Sequence, residues 1–232
     1  YSYYPLSNND KYLVMVNRPS RDIDQMYLLN LESNEKIEIS NQESNFWGQG
    51  FDKNDENYYY ITNYDNEFLY LMSYNIESGN RSLVYKTEWD VTRHFLTKND
   101  KFSVITVNED AQSQIIVRNN KDSSIVNFKG IENLNINSVS FSDNEKIVRI
   151  NAGSSNSPGD IYTYDIESEV LNKITSNLNA SVNPSDLVNG EVIRYKSFDG
   201  LEIPSILYKP IMASKRNKVP ALVWVHGGPG GQ

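Results

Sequence analysis

Apolar residues in this chain gather in short runs, each closed by a polar turn, and the runs recur at a fixed interval. Leu6, Phe51, Leu96 and Phe141 each stand 45 residues after the last, two to four residues ahead of Asn9-Asp10, Asn54-Asp55, Asn99-Asp100 and Asp143-Asn144. A second column keeps the period: Asn30-Leu31-Glu32-Ser33, Asn75-Ile76-Glu77-Ser78, Asn120-Lys121-Asp122-Ser123 and Asp165-Ile166-Glu167-Ser168. The third copy is the weakest, with Lys121 where the others carry Leu or Ile. A repeat of this length belongs to the whole fold, so it is read before any single element.

Each unit predicts four strands. After the first turn come 12–16, 58–62, 102–107 and 147–150; next 26–31, 68–76, 114–117 and 161–166; then 36–39, 82–85, 124–128 and 171–174. A strand before each turn, such as 91–96 or 138–141, completes the set. Phe68-Leu69-Tyr70-Leu71-Met72 is apolar without interruption. A strand with one wet face would alternate; one packed between two sheets need not. Four-stranded units at this period, buried on both faces, describe β-propeller blades that hide their faces only against one another. The competing reading is a β-sandwich with accidental regularity. The stretch 153–160, with Pro158-Gly159 as a turn, is expected to be a longer, flexible loop, a tolerated insertion.

The period stops after Thr175, and Asn183-Pro184 breaks a polar stretch. The fold class is therefore mainly β: about four blades over residues 1–178, a linker over 179–190, and a second architecture over 191–232. There, 191–197 and 201–208 predict a hairpin around Asp199-Gly200, because Asp-Gly readily takes positive φ. The basic stretch Lys215, Arg216 and Lys218 reads as solvated. The run 221–225 has no polar residue and predicts a fully buried strand of a mostly parallel sheet. It leads into His226-Gly227-Gly228-Pro229-Gly230-Gly231.

Composition narrows the function. The chain has 232 residues, a formal charge of -8, no cysteine and two histidines. The negative charge disfavours a nucleic-acid partner. The missing thiols remove disulfides, cysteine nucleophiles and thiolate metal sites. No run of 18 apolar residues occurs, so no membrane-spanning helix is expected. Nothing in the sequence predicts a metal or a cofactor.

A buried strand ending in glycines holds either phosphate or an oxyanion. The phosphate patterns are missing, and Pro229 removes a backbone donor. His-Gly-Gly-Pro fits the oxyanion loop of α/β-hydrolases, where glycine lets backbone N–H groups approach the substrate. Ser197-Phe198-Asp199-Gly200-Leu201-Glu202-Ile203, Leu207-Tyr208-Lys209-Pro210 and Val219 through Pro229 together resemble the first strands of the catalytic domain of the prolyl oligopeptidase family, in its acylaminoacyl-peptidase-like branch.

The resemblance implies a serine peptidase acting on oligopeptides, with the propeller as a cap that filters by size. It implies Gly228, flanked by Gly227, as an oxyanion-hole donor and His226 as the anchor of that loop. His94 falls in a blade strand and reads as a packing or surface residue. No Gly-x-Ser-x-Gly occurs, so the nucleophile, acid and base are expected after Gln232, in the order of that fold. The chain thus reads as a fragment at both ends, inactive alone, with 221–225 sticky for want of sheet partners. Two alternatives stand beside this reading: a binding or scaffold propeller with a vestigial hydrolase start, and an esterase with the same machinery.

Overall fold

In the computed structural model, residues 2–40, 43–110, 112–225 and 227 are described. Among them, seventeen strands form four blade-like antiparallel sheets and one hairpin. The first blade holds β1 (Ser2–Leu6), β2 (Tyr12–Ser20), β3 (Ile23–Asn30) and β4 (Lys36–Glu38) in sequential order. The second holds β5 (Phe46–Phe51), β6 (Asn57–Thr62), β7 (Tyr70–Asn75) and β8 (Arg81–Tyr85). The third has only β9 (Asp90–Leu96), β10 (Phe102–Glu109) and β11 (Gln112–Asn119). The fourth has β12 (Asn135–Phe141), β13 (Ile147–Ser154), β14 (Ser157–Asp165) and β15 (Val170–Lys173). First strands approach one another, β1 against β5 and β5 against β9, which puts them on the inner side of the fan.

The 45-residue columns mark recurring turns. The first strands of the blades end on Leu6, Phe51, Leu96 and Phe141. In the turns that follow, Asp10, Asp55, Asp100 and Glu145 take φ values of 58°, 57°, 57° and 55°. Among residues with a side chain this left-handed region is least costly for Asn and Asp, which accounts for Asp at three of these four positions. The first residue of each turn ties it shut. Tyr12, Asn57, Phe102 and Ile147 donate their N–H groups to Ser7 Oγ (2.9 Å), Asp52 Oδ2 (3.1 Å), Thr97 Oγ1 (2.9 Å) and Ser142 Oγ (3.0 Å).

The second column is displaced by one residue in blade 3. Leu31, Ile76, Asn120 and Ile166 are the residues that donate their N–H groups to Lys11, Glu56, Lys101 and Lys146. Asn120 therefore occupies the place of Leu31, and Asn119 is the turn-capping acceptor. Lys121 looked anomalous only because this copy is one residue short.

Three apolar cores fill the three blade boundaries. Val14, Met26, Leu28 and Ile39 meet Phe46, Tyr58 and Tyr60 between blades 1 and 2. Ile61 and Leu71 meet Val91, Ile105 and Val107 between blades 2 and 3. Phe102, Val104 and Val117 meet Val148, Ile150 and Tyr164 between blades 3 and 4. Successive side chains of a strand point to opposite faces, so Val104 serves one boundary and Ile105 the next. That is why the strands are apolar almost continuously.

Three expectations are corrected. The outer strand at 124–128 is reduced to a single bridge, Arg118 with Ile125. The chain then turns to blade 4, where Phe128 packs edge-on against Tyr164 at 5.2 Å and Tyr164 Oη donates to Asn127 O. The stretch 153–160 is no loose loop. It lies mostly within β13 and β14, which close on a two-residue turn after Ser154 pairs with Ser157. A Cβ at Gly153 would lie 2.9 Å from the Gly159 backbone, so glycine permits the two strands to close there.

The third correction concerns the end of the chain. After a short 3-10 turn, Pro184–Asp186, the expected hairpin is present as β16 (Gly190–Lys196) and β17 (Glu202–Tyr208), with Gly200 at φ 88°. The run 221–225, however, is neither strand nor buried: Leu222 is 88% and Trp224 85% exposed. A sheet strand is held by hydrogen bonds to neighbours on its edges. Among the described residues no strand lies beside this run.

Candidate functional site

Two regions attract attention: the glycine-rich end and the inner strands. Of the end, Gly227 alone is described, and a Cβ placed on it would meet nothing within 4 Å. His226 and Gly228 lie outside the described residues.

The inner strands carry the recurrent irregularity. A β-bulge interrupts the first strand of each blade, between Tyr3 and Leu6, between Gly48 and Gly50, opposite Thr106 and Val107, and between Ile136 and Ser138. Bulges re-aim side chains and strengthen twist, and so bend each inner strand. In blade 2 the bulge turns Gln49 toward blade 3, where its Oε1 accepts the His94 N–H at 2.7 Å. Gln49, Tyr59 and His94 line a cavity of about 180 Å3.

His94 is 3% exposed, and its ring lies 4.7 Å from that of Tyr59. Its Nε2 shares a 2.7 Å hydrogen bond with Ser103 Oγ, itself buried. Burial, and then the nearby Arg118 charge, push its pKa down to about 3. A neutral imidazole so weakly basic takes no proton near neutral pH. The pairing of His94 with Ser103 is therefore structural, and His94 packs the boundary between blades 2 and 3.

Sequence reasoning missed a set of carboxylates that join the blades. Asp55 in blade 2 accepts the N–H groups of Asn8 and Asn9 in blade 1, both at 2.8 Å, and Asn8 Nδ2 at 3.0 Å. Asp100 accepts the N–H of Lys53 at 2.9 Å, and Glu145 that of Asn99 at 2.7 Å. Each is the positive-φ residue of its turn, reaching back to the previous blade. The recurrence of an acid at this position every 45 residues was the available signal. Burial raises the Asp100 pKa, partly offset by the Lys53 N–H.

Other buried carboxylates tie further segments together. Asp24 pairs with Arg18 at 2.7 Å and accepts the Phe46 N–H, which seats the start of blade 2. Asp160 pairs with Lys173 at 2.7 Å and accepts the Asn177 N–H. Arg194 in β16 pairs with Asp110, at the tip of the β10–β11 hairpin, and with Glu202 at 3.2 Å. Among the described residues no cluster of three acids or histidines is placed to hold a metal, and no helix is long and apolar enough to cross a membrane.

Stacked antiparallel sheets of three or four strands with bulged inner strands define a part of a β-propeller. Residues 3–177 match the N-terminal beta-propeller domain of prolyl oligopeptidase, and the chain belongs to that family. Among solved structures it is similar to prolyl oligopeptidase B from Galerina marginata bound to a 35mer hydrolysis and macrocyclization substrate. That match has a TM-score of 0.68 at 14% identity, over 86% of this chain and 30% of the other. A puromycin-hydrolyzing peptidase of Mycobacterium tuberculosis gives 0.68 at 12% identity, over 88% and 33%. TolB from Acinetobacter baumannii gives 0.53 at 15% identity, over 86% and 53%. These likenesses show the fold. The chain spans about a third of the length of the two peptidases. No curated protein matches the sequence significantly.

Proposed function

We propose that this chain is part of a serine peptidase that hydrolyses short peptides through an acyl-enzyme, with the blades serving as a size-filtering cap. One observation carries the reading: a propeller matched over 3–177 is followed in order by the hairpin β16–β17 and by His226-Gly227-Gly228-Pro229. Residues 1–178 are then propeller, 179–190 linker and 191–232 the first part of an α/β-hydrolase domain. The exposed Leu222, Val223 and Trp224 are apolar surface that such a sheet would bury.

In this reading Gly228, with Gly227 beside it, turns a backbone N–H toward the oxygen that becomes negative in the tetrahedral intermediate. One such donor is typically worth about 3 to 4 kcal/mol in rate. His226 anchors the loop. The nucleophile, its base and its acid follow Gln232, and no metal or cofactor is needed. Peptide is favoured over ester substrate by the family alone.

The test is the whole protein's selectivity by size. Oligopeptides should be cleaved and folded proteins left intact. The reading frame should carry Gly-x-Ser-x-Gly roughly 70 to 80 residues beyond Gln232. A frame that stops without that motif would make the chain a binding propeller instead.

A further inference from the structure

Blade 3 is the odd member of the set. Blades 1, 2 and 4 close their outer edges with β4, β8 and β15, whereas β11 is itself an edge. Ser124 to Val126 pair with its Val117–Asn119 end, and beyond Val126 the chain that would have covered the rest is held by blade 4. Phe128 and Ile131 are buried in the core between blades 3 and 4, and Lys129 pairs with Glu169.

Backbone alternation shows what this leaves open. Val117 O accepts the Val126 N–H on the outer side of β11. Strand geometry turns every second residue the same way, so Ser113 and Ile115 also direct their N–H and C=O groups outward. Their opposite partners Asn108 and Thr106 face the other way, into β9. No strand pairs with Ser113 or Ile115 on that side among the described residues.

A groove of about 280 Å3 runs along this edge, with β11 as one wall and the segment from Ile125 to Ile136 as the other. The stretch from Ser113 to Ile116 is about 10 Å long, room for three or four extended residues. Among the described residues lining the groove, Glu132 is the one that carries a charge. Its carboxylate accepts the Gly130 N–H at 2.9 Å and is held below the usual range.

We propose that the uncovered part of this edge, beside Ser113 and Ile115, takes up an extended, neutral or basic oligopeptide in line with the short pairing that Ser124 to Val126 make further along β11. Backbone pairing at Ser113 and Ile115 supplies the binding, as in strand addition elsewhere. Glu132 selects against acidic peptides.

The probe is acetyl-Lys-Val-Thr-Val-Thr-Lys-amide, titrated into the chain while backbone amide NMR signals are followed. Binding should move the signals of Ser113 and Ile115. The same peptide N-methylated at alternate residues should bind about tenfold more weakly or worse, since two backbone bonds are lost. A version with Glu at both ends should also be weaker. Ile115→Pro deletes one outward N–H and should weaken binding, with circular dichroism checking its fold. Should that variant not fold, the methylated peptide decides on the unaltered chain. Equal affinity of the methylated peptide, no binding at millimolar concentration, or shifts confined to another surface would overturn the proposal. So would protection of the same amides by self-association without peptide, seen by sedimentation.

Discussion

The Asp55 carboxylate accepts the Asn8 N–H at 2.8 Å across the boundary between the first two blades. Asp55 is 6% exposed and sits at φ 57°, so its backbone conformation aims its side chain at the neighbouring turn. Asp100 and Glu145 repeat the arrangement at the next two boundaries. Apolar cores join the blades, and these acids set how neighbouring turns meet.

Asp55→Ala should therefore destabilise the chain by about 3 kcal/mol, from lost charge-assisted hydrogen bonds and from alanine in a left-handed conformation. Asp55→Asn should lose less, because asparagine keeps one acceptor and tolerates that φ. Urea denaturation of the three proteins gives the ranking.

Asp100 should behave differently with pH. Burial raises its folded pKa, so its charge weakens the folded state above that pKa. Its contribution to stability is restored as pH falls through the raised folded value. Asp100→Asn keeps an acceptor without the charge, and should match or exceed the parent at pH 7. That advantage should shrink on acidification, which denaturation at pH 7 and pH 4 compares directly.

His94 makes a signed prediction. Its folded pKa is pushed down to about 3, whereas an unfolded histidine titrates near about 6.5. Below that higher value the unfolded chain binds a proton that the folded chain does not. Stability should fall by about 1.4 kcal/mol per pH unit from this group alone, and His94→Gln should remove that slope. In the folded chain the His94 ring signals should not move between pH 8 and pH 5.

Gly48 and Tyr58 should be coupled. A Cβ on Gly48 would lie 2.0 Å from Tyr58 Oη, and that hydroxyl is buried with no hydrogen-bond partner among the described residues. Tyr58→Phe removes an unsatisfied polar atom and should cost nothing or stabilise. Gly48→Ala should destabilise by about 1–3 kcal/mol, as overpacking does. The double variant should be more stable than the sum of the two changes, which a double-mutant cycle measures.

The recurring turns were legible because each needs a residue that tolerates positive φ at the same place, which left Asp10, Asp55 and Asp100 in a column. The hairpin around Gly200 was legible for the same reason. What Asp55 does was not, because its partner lies 47 residues away in another sheet. The strand at 124–128 was misread because Phe128 leaves β11 to pack edge-on against Tyr164 in blade 4, a contact 36 residues away that the local pattern does not encode. The run 221–225 has the composition of a core strand, but pairing depends on neighbours that its own residues do not encode. His226 and Gly228 lie outside the described residues, so their roles rest on the motif.

A fluorophosphonate probe applied to the whole protein, followed by mapping of the labelled residue, is the sharpest test of the peptidase reading. Labelling of one serine in a Gly-x-Ser-x-Gly beyond Gln232, and none when residues 1–232 are treated alone, is the predicted result. A whole protein that takes no label, or a label on a serine within residues 1–232, would contradict it.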